Sequence, residues 1–417
     1  MKPYQNRLLD TLIERKLESI GAVLIQGARA VGKTTTALHH AKSSVRLDSS
    51  DQVLQQAKLN SKPLLAGAVP RLVDEWQLAP NLWNSVRHEI DTRGLPGQFL
   101  LTGSAAPSES ATRHTGAGRI ARLVLRPMSL EESGDSLKTV PFGALFQKNA
   151  KIGGFGGPSF EDYANLIVRG GWPALVGRKP LSAREALIDY AENIAAVDLR
   201  TLESPPDPLR VTALLTALSR NIATEASLEK LAAEAEINDG GLSAKTVRKY
   251  LDQLARIFVL DELQTWRPRI RSSIRARVKP KWHFADPSLA TAVLRVTPDA
   301  LLGDLKTMGF FFESLCIRDL RAYADVSGAK VFHYRDSTDL EIDAIIERYD
   351  GQWAAVEVKL GGAEAIEEAA KNFARLKNRL PSAKLSTLAS LTVLTAGQES
   401  HTREDGVNVI AIGHLYA

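Results

Sequence analysis

The sequence predicts a mixed α/β chain built from three parts. A glycine-rich stretch, GARAVGKT, lies between an apolar strand and a helix near the start of the chain. Two short helices followed by a strongly basic run lie near the middle, and the final part reads as a helix, three strands, a helix and further strands. We therefore expect a P-loop α/β core at 1–140, a helical region with a winged helix at 141–300, and a second α/β domain at 301–417.

The first of these motifs has the spacing of a phosphate-binding loop, G-x4-G-K-T. Gly27 and Gly32 allow a tight turn whose N–H groups point inward, and the following helix adds a partial positive charge. Lys33 is expected to be exposed to the β- and γ-phosphates, and Thr34 to bind Mg²⁺. ATP and Mg²⁺ are thus the predicted cofactors. The residues predicted to surround the nucleotide are Gly27, Ala28, Arg29, Ala30, Val31, Gly32, Lys33, Thr34 and Thr35.

The second half of a nucleotide site is predicted on two further buried strands. The strand that begins at Pro70 ends in Asp74 and Glu75, where Asp74 would hold Mg²⁺ through water and Glu75 would orient and polarise the attacking water. A strand from Gln98 to Thr102 is followed by Ser104, whose hydroxyl we expect beside the γ-phosphate. A simple serine turn is the alternative for Ser104.

Several stretches occur in an order that resembles a known family. GARAVGKTT, LVDEWQLAP, FLLTGSA, GRIARLVLRPMSLEE, LIVRGGWPAL, KTVRKYLDQL, KWHFADPSLA, HYRDSTDLEIDAII and AAVEVKLGG follow one another along the chain. They resemble the bacterial and archaeal AAA+ ATPases whose C-terminal half is catalogued as a domain of unknown function. The resemblance covers nearly the whole chain and implies an AAA+ ATPase core. Ala30 and Trp76 depart from the family's usual polar and aliphatic residues, without removing a group that the chemistry needs.

The same resemblance implies an arginine that stabilises charge during hydrolysis, often supplied by an adjacent subunit. The candidates are Arg119, Arg122 and Arg126, and Arg119 is preferred because Gly118–Arg119 matches the family's Gly-Arg pair. Arg119 would act in cis or in trans, and a role in trans requires a homo-oligomer. The alternative is a structural salt bridge.

Composition indicates where such a protein would work. Hydrophobic residues make up 44% of the 417 residues, which is ample for buried cores, and the single cysteine, Cys316, points to a reducing compartment. The first residues interleave charges with leucines rather than forming a signal peptide, and no apolar run approaches the length of a membrane span. We expect a cytoplasmic protein. Its net charge of +5 permits a polyanionic partner without demanding one.

The basic run between Trp266 and Trp282 contains no acidic residue and predicts contact with a nucleic-acid backbone. Two helices precede it, so the arrangement indicates a winged helix-turn-helix in which Arg248 and Lys249 lie on the exposed face of the second helix and read base edges. DNA is the predicted partner, and the acidic surface of another protein is the alternative. The basic residues of the run are Arg267, Arg269, Arg271, Arg275, Arg277, Lys279 and Lys281.

The C-terminal part predicts a metal-binding set of carboxylates. Glu357 and Lys359 share one strand face, and Asp343 lies on the preceding strand. The arrangement resembles the PD-(D/E)xK nuclease fold, the restriction-endonuclease-like class, which implies that Asp343 and Glu357 hold Mg²⁺, with Glu313 assisting, and that Lys359 positions or deprotonates water. There are two alternatives. One is a solvent-facing strand with alternating charges and no chemistry, and the other is a nuclease-like fold that serves as a binding module.

Together these features predict a Mg²⁺-dependent AAA+ ATPase that acts on DNA, including branched or recombination-type DNA, with or without deoxyribonuclease activity at the C-terminal site. The alternative is an ATP-driven switch that binds or remodels a protein partner, with an inactive nuclease-like scaffold. The glycine-rich segment 141–162 is predicted to be the linker that leaves the ATPase core.

Overall fold

A computed structural model describes residues 3–105, 116–148, 150–196, 198–201, 206–236, 241–267 and 279–417. The chain divides into two compact units, Met1–Arg126 with Arg256–Phe258, and Pro127–Ala255 with Val259–Ala417. The predicted domain boundaries at 140 and 300 both fall inside the second unit. No helix in the described part of the chain combines the length and apolar character needed to cross a membrane.

The first unit is built on a five-stranded parallel sheet of order β2-β3-β4-β1-β5. β1 and β4 are buried along their whole length, as expected for the apolar central strands of a parallel sheet covered by helices. The strands are β1 Ala22–Gln26, β2 Ser43–Arg46, β3 Arg71–Asp74, β4 Phe99–Gly103 and β5 Ile120–Val124, and the helices are α1 Leu9–Ser19, α2 Lys33–His40, α3 Asp51–Leu59 and α4 Leu82–Arg93.

The strand order brings the predicted nucleotide residues to one edge of this sheet. The loop 27–32 follows β1, Glu75 follows β3, and Ser104 follows β4. Because parallel strands share one carboxyl-terminal edge, these three segments lie side by side. β4 lies between β3 and β1, so its end separates the P-loop from Glu75.

Trp76 anchors the backbone that turns away after Glu75. Its side chain is buried, and its ring centroid lies 5.1 Å from that of Trp83 on α4. The two rings belong to the main apolar cluster of the first unit. Trp76, where the resemblance leads one to expect an aliphatic residue, thus packs in the core below the site.

The helical region of the second unit contains the predicted pair of helices and the strand pair that follows them. The second helix of the pair, Ala244–Arg256, is followed by the strands Leu260–Leu263 and Lys281–Phe284. The two strands pair antiparallel, with Leu260 opposite Phe284. The helices are α5 Leu130–Ser133, α6 Phe160–Arg169, α7 Pro180–Ala196, α8 Pro208–Arg220, α9 Leu228–Glu234, α10 Ala244–Arg256, α11 Pro287–Val293 and α12 Pro298–Gly303; the strands are β8 Leu260–Leu263 and β9 Lys281–Phe284.

A seven-stranded mixed sheet of order β10-β11-β12-β13-β15-β14-β7 completes the second unit. The predicted order of helix, three strands, helix and further strands is observed here. Its elements are β7 Gly154–Phe155, α13 Leu305–Ser327, β10 Ala329–Arg335, β11 Glu341–Arg348, β12 Trp353–Lys359, α14 Ala363–Arg379, α15 Ser382–Leu385, β13 Leu388–Thr395, β14 Glu399–Thr402 and β15 Asn408–Ala411; a separate pair is formed by β6 Val140–Pro141 and β16 Leu415–Tyr416.

The glycine-rich segment predicted as a linker is instead part of this unit. Phe155 of β7 pairs with Glu399 of β14, so the segment supplies an edge strand of the C-terminal sheet. The linker prediction was wrong because a two-residue strand carries no hydrophobic alternation. Its glycines signal a turn equally well in a loop and beside a strand.

Candidate active site

The loop after β1 has the backbone conformation that its glycines predict. Gly27 has φ +151°, and a Cβ atom there would clash with the carbonyl oxygen of Leu125. Gly32 has φ +96° and caps α2, which begins at Lys33. Only glycine adopts these conformations without strain, so both glycines are required by the path of the chain.

Lys33 does not extend into solvent as expected. Its side chain is buried, and Nζ donates hydrogen bonds to the carbonyl oxygens of Gly27 at 3.0 Å and Ala28 at 2.8 Å. A buried ammonium needs acceptors, and the carbonyls of its own loop lie within reach. The ammonium is therefore held inside the loop where phosphates are predicted to bind.

Thr34 and Asp74 meet at the sheet edge, as their motifs predict. Thr34 Oγ1 donates to Asp74 Oδ1 at 2.8 Å, and Thr102 Oγ1 donates a short hydrogen bond to the same oxygen. The second oxygen, Oδ2, is buried and has no hydrogen-bond donor among the described residues; Arg46 Nε lies 3.5 Å from it. A threonine hydroxyl beside such a carboxylate oxygen fits a magnesium ion, which prefers oxygen ligands and retains water.

Glu75 is positioned by three groups. Its backbone is left-handed, with φ +55°, and its N–H donates to Thr102 Oγ1 at 3.1 Å. Gln77 Nε2 donates a short hydrogen bond to Oε2 of Glu75, and Ser104 Oγ lies 3.5 Å from Oε1. Ser104 therefore lies beside the carboxylate predicted to orient water.

Sequence reasoning missed Thr102, Gln77 and Arg7. Thr102 could have been found as the polar residue within the buried run FLLTG. Arg7 is buried, and donates to the carbonyl oxygens of Val31 at 2.8 Å and Arg126 at 2.7 Å, so it ties the P-loop to the chain after β5. Nothing in the charged first segment distinguishes Arg7 from its neighbours.

Arg119 lies at the wrong edge of the sheet to act on phosphate within its own subunit. It immediately precedes β5, which runs parallel to β1, so it lies at the amino-terminal edge while the P-loop lies at the carboxyl-terminal edge. Its Nε is 2.6 Å from Oδ1 of Asp91, and this hydrogen bond lowers the pKa of the Asp91 carboxyl. The cis role is thereby excluded, the alternative of a salt bridge is observed, and a role in trans stays a prediction.

Apart from Lys281, the predicted nucleic-acid residues that the structure describes are exposed, and exposure does not exclude ion pairs. Arg267, Lys279 and Lys249 are exposed. Arg248 is half-exposed, but it pairs with Asp252 at 2.9 Å and approaches Glu262 at 4.0 Å. Four further arginines lie outside the described residues: Arg269, Arg271, Arg275 and Arg277.

Lys281, read from the sequence as the last residue of the basic run, belongs to a buried cluster of acids. It is 1% exposed, and Nζ lies 2.8 Å from Glu313 Oε1, 2.6 Å from Glu341 Oε1 and 3.7 Å from Asp343 Oδ1. Burial alone would lower the pKa of Lys281, but these carboxylates outweigh burial and raise it. The ammonium therefore remains charged inside the protein.

The structure brings the predicted C-terminal site residues together. Glu357 Oε2 is 2.9 Å from Lys359 Nζ, and Asp343 Oδ2 accepts a hydrogen bond from the backbone N–H of Val358 at 2.8 Å. Burial raises the pKa of Glu357 and of Glu313, and the ammonium groups of Lys359 and Lys281 oppose that rise. Asp343 and Glu357 are buried, so the alternative of a solvent-facing strand with alternating charges is excluded. Within the described ranges, no group of three or more histidine, cysteine, aspartate or glutamate side chains has an arrangement that holds a metal.

Three family models match successive parts of the chain. Residues 20–134 match an AAA domain, residues 160–300 a domain of unknown function (DUF8612), and residues 308–415 another domain of unknown function (DUF4143). The uncharacterized proteins Rv2008c of Mycobacterium tuberculosis and Mb2031c of Mycobacterium bovis are each 23% identical over 367 residues, which is 86% of this chain and 75% of theirs.

Two solved structures were found in the comparison with this chain. The Walker-type ATPase PABY2304 of Pyrococcus abyssi has a TM-score of 0.44 at 16% identity, over 70% of this chain and 96% of that one. AMPPCP-bound DnaA from Aquifex aeolicus has a TM-score of 0.24 at 15% identity, over 61% of this chain and 89% of that one. Both TM-scores are too low to support an argument. The AAA-domain match and the P-loop geometry together support the predicted core: residues 20–134 match an AAA domain and contain the P-loop, and two regions that match domains of unknown function follow.

Proposed function

We propose that the first unit hydrolyses ATP with Mg²⁺. The observation that carries the proposal is the 2.8 Å hydrogen bond from Thr34 to Asp74, which joins the P-loop helix to the end of β3 next to Glu75. These are the three groups that P-loop hydrolysis requires: a hydroxyl and a carboxylate for the metal, and a second carboxylate for water.

The residues divide the chemistry as follows. Lys33 leaves the carbonyl oxygens of Gly27 and Ala28 and donates to the β- and γ-phosphates. Thr34 and Asp74 would hold Mg²⁺, and the ion would neutralise charge on the phosphate oxygens. Glu75, held by Gln77 and Ser104, orients the attacking water and accepts its proton.

Phosphate release by the purified chain tests the proposal. Wild-type protein is assayed with ATP and Mg²⁺, with ATP and excess EDTA, and with each DNA form described below. Turnover that requires Mg²⁺ and disappears in Glu75→Gln is expected. An absence of turnover in every arm, from protein whose circular dichroism shows a folded chain, would refute hydrolysis.

We further propose that ATP turnover is coupled to DNA. The support is the basic run 266–282, which lacks any acid, and the exposure of Arg267, Lys279 and Lys249. The element order α9, α10, β8, β9 is that of a winged helix, in which the β8–β9 connection forms the arm. The proposal also includes a homo-oligomer. In it, Arg119 leaves its ion pair with Asp91 and contacts the nucleotide bound by a neighbouring subunit. A protein partner with an acidic surface is the alternative occupant of the basic arm.

Stimulation of ATP hydrolysis by duplex, single-stranded and branched DNA tests the coupling. We expect stimulation that falls steeply with salt, because binding to phosphates releases counterions. Replacing Arg269, Arg271, Arg275 and Arg277 by glutamine should abolish it without changing basal turnover. A matched control replaces four exposed basic residues of the first unit: Arg15, Lys16, Lys58 and Lys62. Equal loss of stimulation in both variants would show that the arm has no specific role.

For the C-terminal cluster, the ion pairs favour a binding scaffold over cleavage. Glu357 is paired with Lys359, and Asp343 accepts from the Val358 backbone and lies near Lys281. Carboxylates that are already neutralised by ammonium groups are poor ligands for a catalytic metal, since metal binding requires their lone pairs. Assays of DNA binding and DNA cleavage with the same substrates separate the two roles.

A further inference from the structure

The nuclease-like arrangement of the C-terminal domain implies a divalent metal, and its residues do not fit one. The obstacle is Lys281. It lies on β9, outside the segment that carries the E-x-K pair, and it reaches carboxylates of α13 and β11 from the opposite side. The Lys281 side chain is buried, and so is the Glu313 side chain, while Glu341 is partly exposed.

The distances around Lys281 are those of an ammonium and not those of a metal site. Oxygens of Glu313 and Glu341 lie 2.8 and 2.6 Å from Nζ, which are charge-assisted hydrogen-bond lengths. Mg²⁺ requires oxygens at about 2.1 Å in a near-octahedral shell. A divalent ion placed between Asp343 and Glu313 would also lie close to the Lys281 charge, which repels it.

The remaining oxygens of the predicted ligands also have protein donors. Asp343 Oδ2 accepts from the N–H of Val358 at 2.8 Å. Glu357 Oε2 is 2.9 Å from Lys359 Nζ, and Glu357 Oε1 accepts from Asn372 Nδ2 at 3.3 Å. Each carboxylate that a metal would need is thus engaged by the chain itself.

We infer that Lys281 is the resident cation of this cluster and takes the place that a divalent metal holds in nuclease-like sites. The C-terminal domain is then independent of metal ions, and the Lys281 side chain locks β9 to β11 and α13. Loss of the ammonium would leave Glu313 and Asp343 without the Lys281 cation, while Glu341 would keep Arg335 Nη1 at 3.5 Å. Carboxylate oxygens are the ligands that Mg²⁺ or Mn²⁺ prefers.

Mn²⁺ binding to the full chain without nucleotide tests this inference. Free Mn²⁺ is measured by electron paramagnetic resonance for wild type, Asp343→Asn, Lys281→Met and the double variant Lys281→Met/Asp343→Asn. Wild type should show no site that Asp343→Asn removes. Lys281→Met should gain one site, at least tenfold tighter than any binding by wild type to this cluster, and the double variant should lose it. Lys279→Met, an exposed lysine two residues earlier, should behave as wild type.

A second variant and a second measurement test whether the Lys281 variants fold. Lys281→Met leaves buried carboxylates without a cation, so Lys281→Gln, which keeps hydrogen-bond donors, is examined in parallel. Thermal unfolding is followed with and without Mn²⁺. Stabilisation of either variant by Mn²⁺, with none in wild type, supports the inference, and so does rescue by Mn²⁺ of a variant that is otherwise unfolded. Asp343-dependent Mn²⁺ binding by wild type, or Lys281 variants that gain neither a site nor stability from Mn²⁺, would overturn it. Neither Mn²⁺ binding nor thermal unfolding depends on ATP turnover. The proposed ATP hydrolysis can therefore fail or succeed independently of this inference.

Discussion

The Thr34 hydroxyl donates a 2.8 Å hydrogen bond to Oδ1 of Asp74, linking α2 to the end of β3 across the intervening strand β4. These residues are 40 positions apart in the sequence. Thr102, at the end of β4, donates to the same oxygen, which leaves Oδ2 of Asp74 directed at the site without a hydrogen-bond donor among the described residues. The strand order thus brings together the two residues proposed to hold the metal, because neither motif contains both groups.

Lys33→Ala should abolish ATP turnover and leave the fold intact. The ammonium donates to the carbonyl oxygens of Gly27 and Ala28 in its own loop, and these can be solvated when it is removed. Phosphate release should fall by about two orders of magnitude or more, since one charge-stabilising group at the transferring phosphoryl is lost. The melting temperature should change by no more than a few degrees. The control is Lys42→Ala, an exposed lysine just after α2. Wild-type turnover in the Lys33 variant would contradict its role.

Glu75→Gln should bind ATP but hydrolyse it slowly. The amide keeps the shape of the side chain and can still accept a hydrogen bond from Gln77, but it cannot take a proton from water. A loss of about 10² to 10⁴ in kcat is expected for a missing general base. Nucleotide affinity, measured by calorimetry, should remain within about threefold of wild type. Glu18→Gln, on the exposed face of α1, is the matched control. Equal turnover in Glu75→Gln and wild type would remove Glu75 from the mechanism.

Gln77→Ala should lower kcat by roughly tenfold while KM for ATP stays near the wild-type value. Gln77 donates to Oε2 of Glu75 and does not belong to the P-loop, so its loss loosens the carboxylate without removing a phosphate contact. A tenfold loss is the scale of a single weakened orienting hydrogen bond. Steady-state kinetics of Gln77→Ala are compared with those of Gln55→Ala, which changes an exposed glutamine on α3. The comparison distinguishes lost orientation of the Glu75 carboxylate from general destabilisation of the protein. A rise in KM with unchanged kcat would assign Gln77 to nucleotide binding instead.

The nucleotide site could be predicted because its parts are local. GARAVGKT fixes a loop, and a carboxylate pair after a buried strand fixes the neighbouring segment. The cis role of Arg119 could not be judged from the sequence, because its Gly-Arg pair does not reveal which end of β5 it occupies. Gln77 and Thr102 were missed because orientation of a carboxylate depends on strand neighbours.

The position of Lys281 illustrates a second limit. Seven basic residues without an acid read as a solvated arm, and that interpretation holds for the exposed Arg267 and Lys279. At Lys281 the chain enters β9, where all four residues are buried, and the compensating acids come from α13 and β11. Long-range pairing of this kind has no periodic signal in the sequence.

Asp343→Ala and Lys359→Ala should leave ATP hydrolysis unchanged, because both residues belong to the second unit and none of the nucleotide residues does. We expect no Mg²⁺-dependent DNA cleavage from wild type or from either variant on linear, nicked or four-way substrates. The reason is that Lys281 and Lys359 already neutralise the carboxylates. Cleavage by wild type that is lost in both variants would restore the nuclease interpretation and contradict the scaffold role.

His333 should make the second unit lose stability as the pH falls. Burial is the main cause that lowers the pKa of His333 from 6.5 to about 3, and the charge of Lys281 adds to it. Between these values the unfolded chain binds a proton that the folded chain does not. The contribution of neutral His333 to the free energy of unfolding is therefore fully present above pH 6.5. It declines by about 1.4 kcal/mol for each pH unit below that value.

The measurement is urea unfolding at pH 8 and pH 5 for wild type and His333→Gln, whose amide can still donate to the carbonyl oxygen of Lys279, a partner of His333 at 3.1 Å. The difference in unfolding free energy between the two pH values should be about 2 kcal/mol smaller in the variant, because only wild type can take up the proton on unfolding. His283 is also buried with a lowered pKa, but its contribution is common to both proteins and cancels. His401→Gln, at an exposed position on β14, should retain the wild-type pH dependence. An identical pH dependence in wild type and His333→Gln would show that His333 takes up its proton in the folded state.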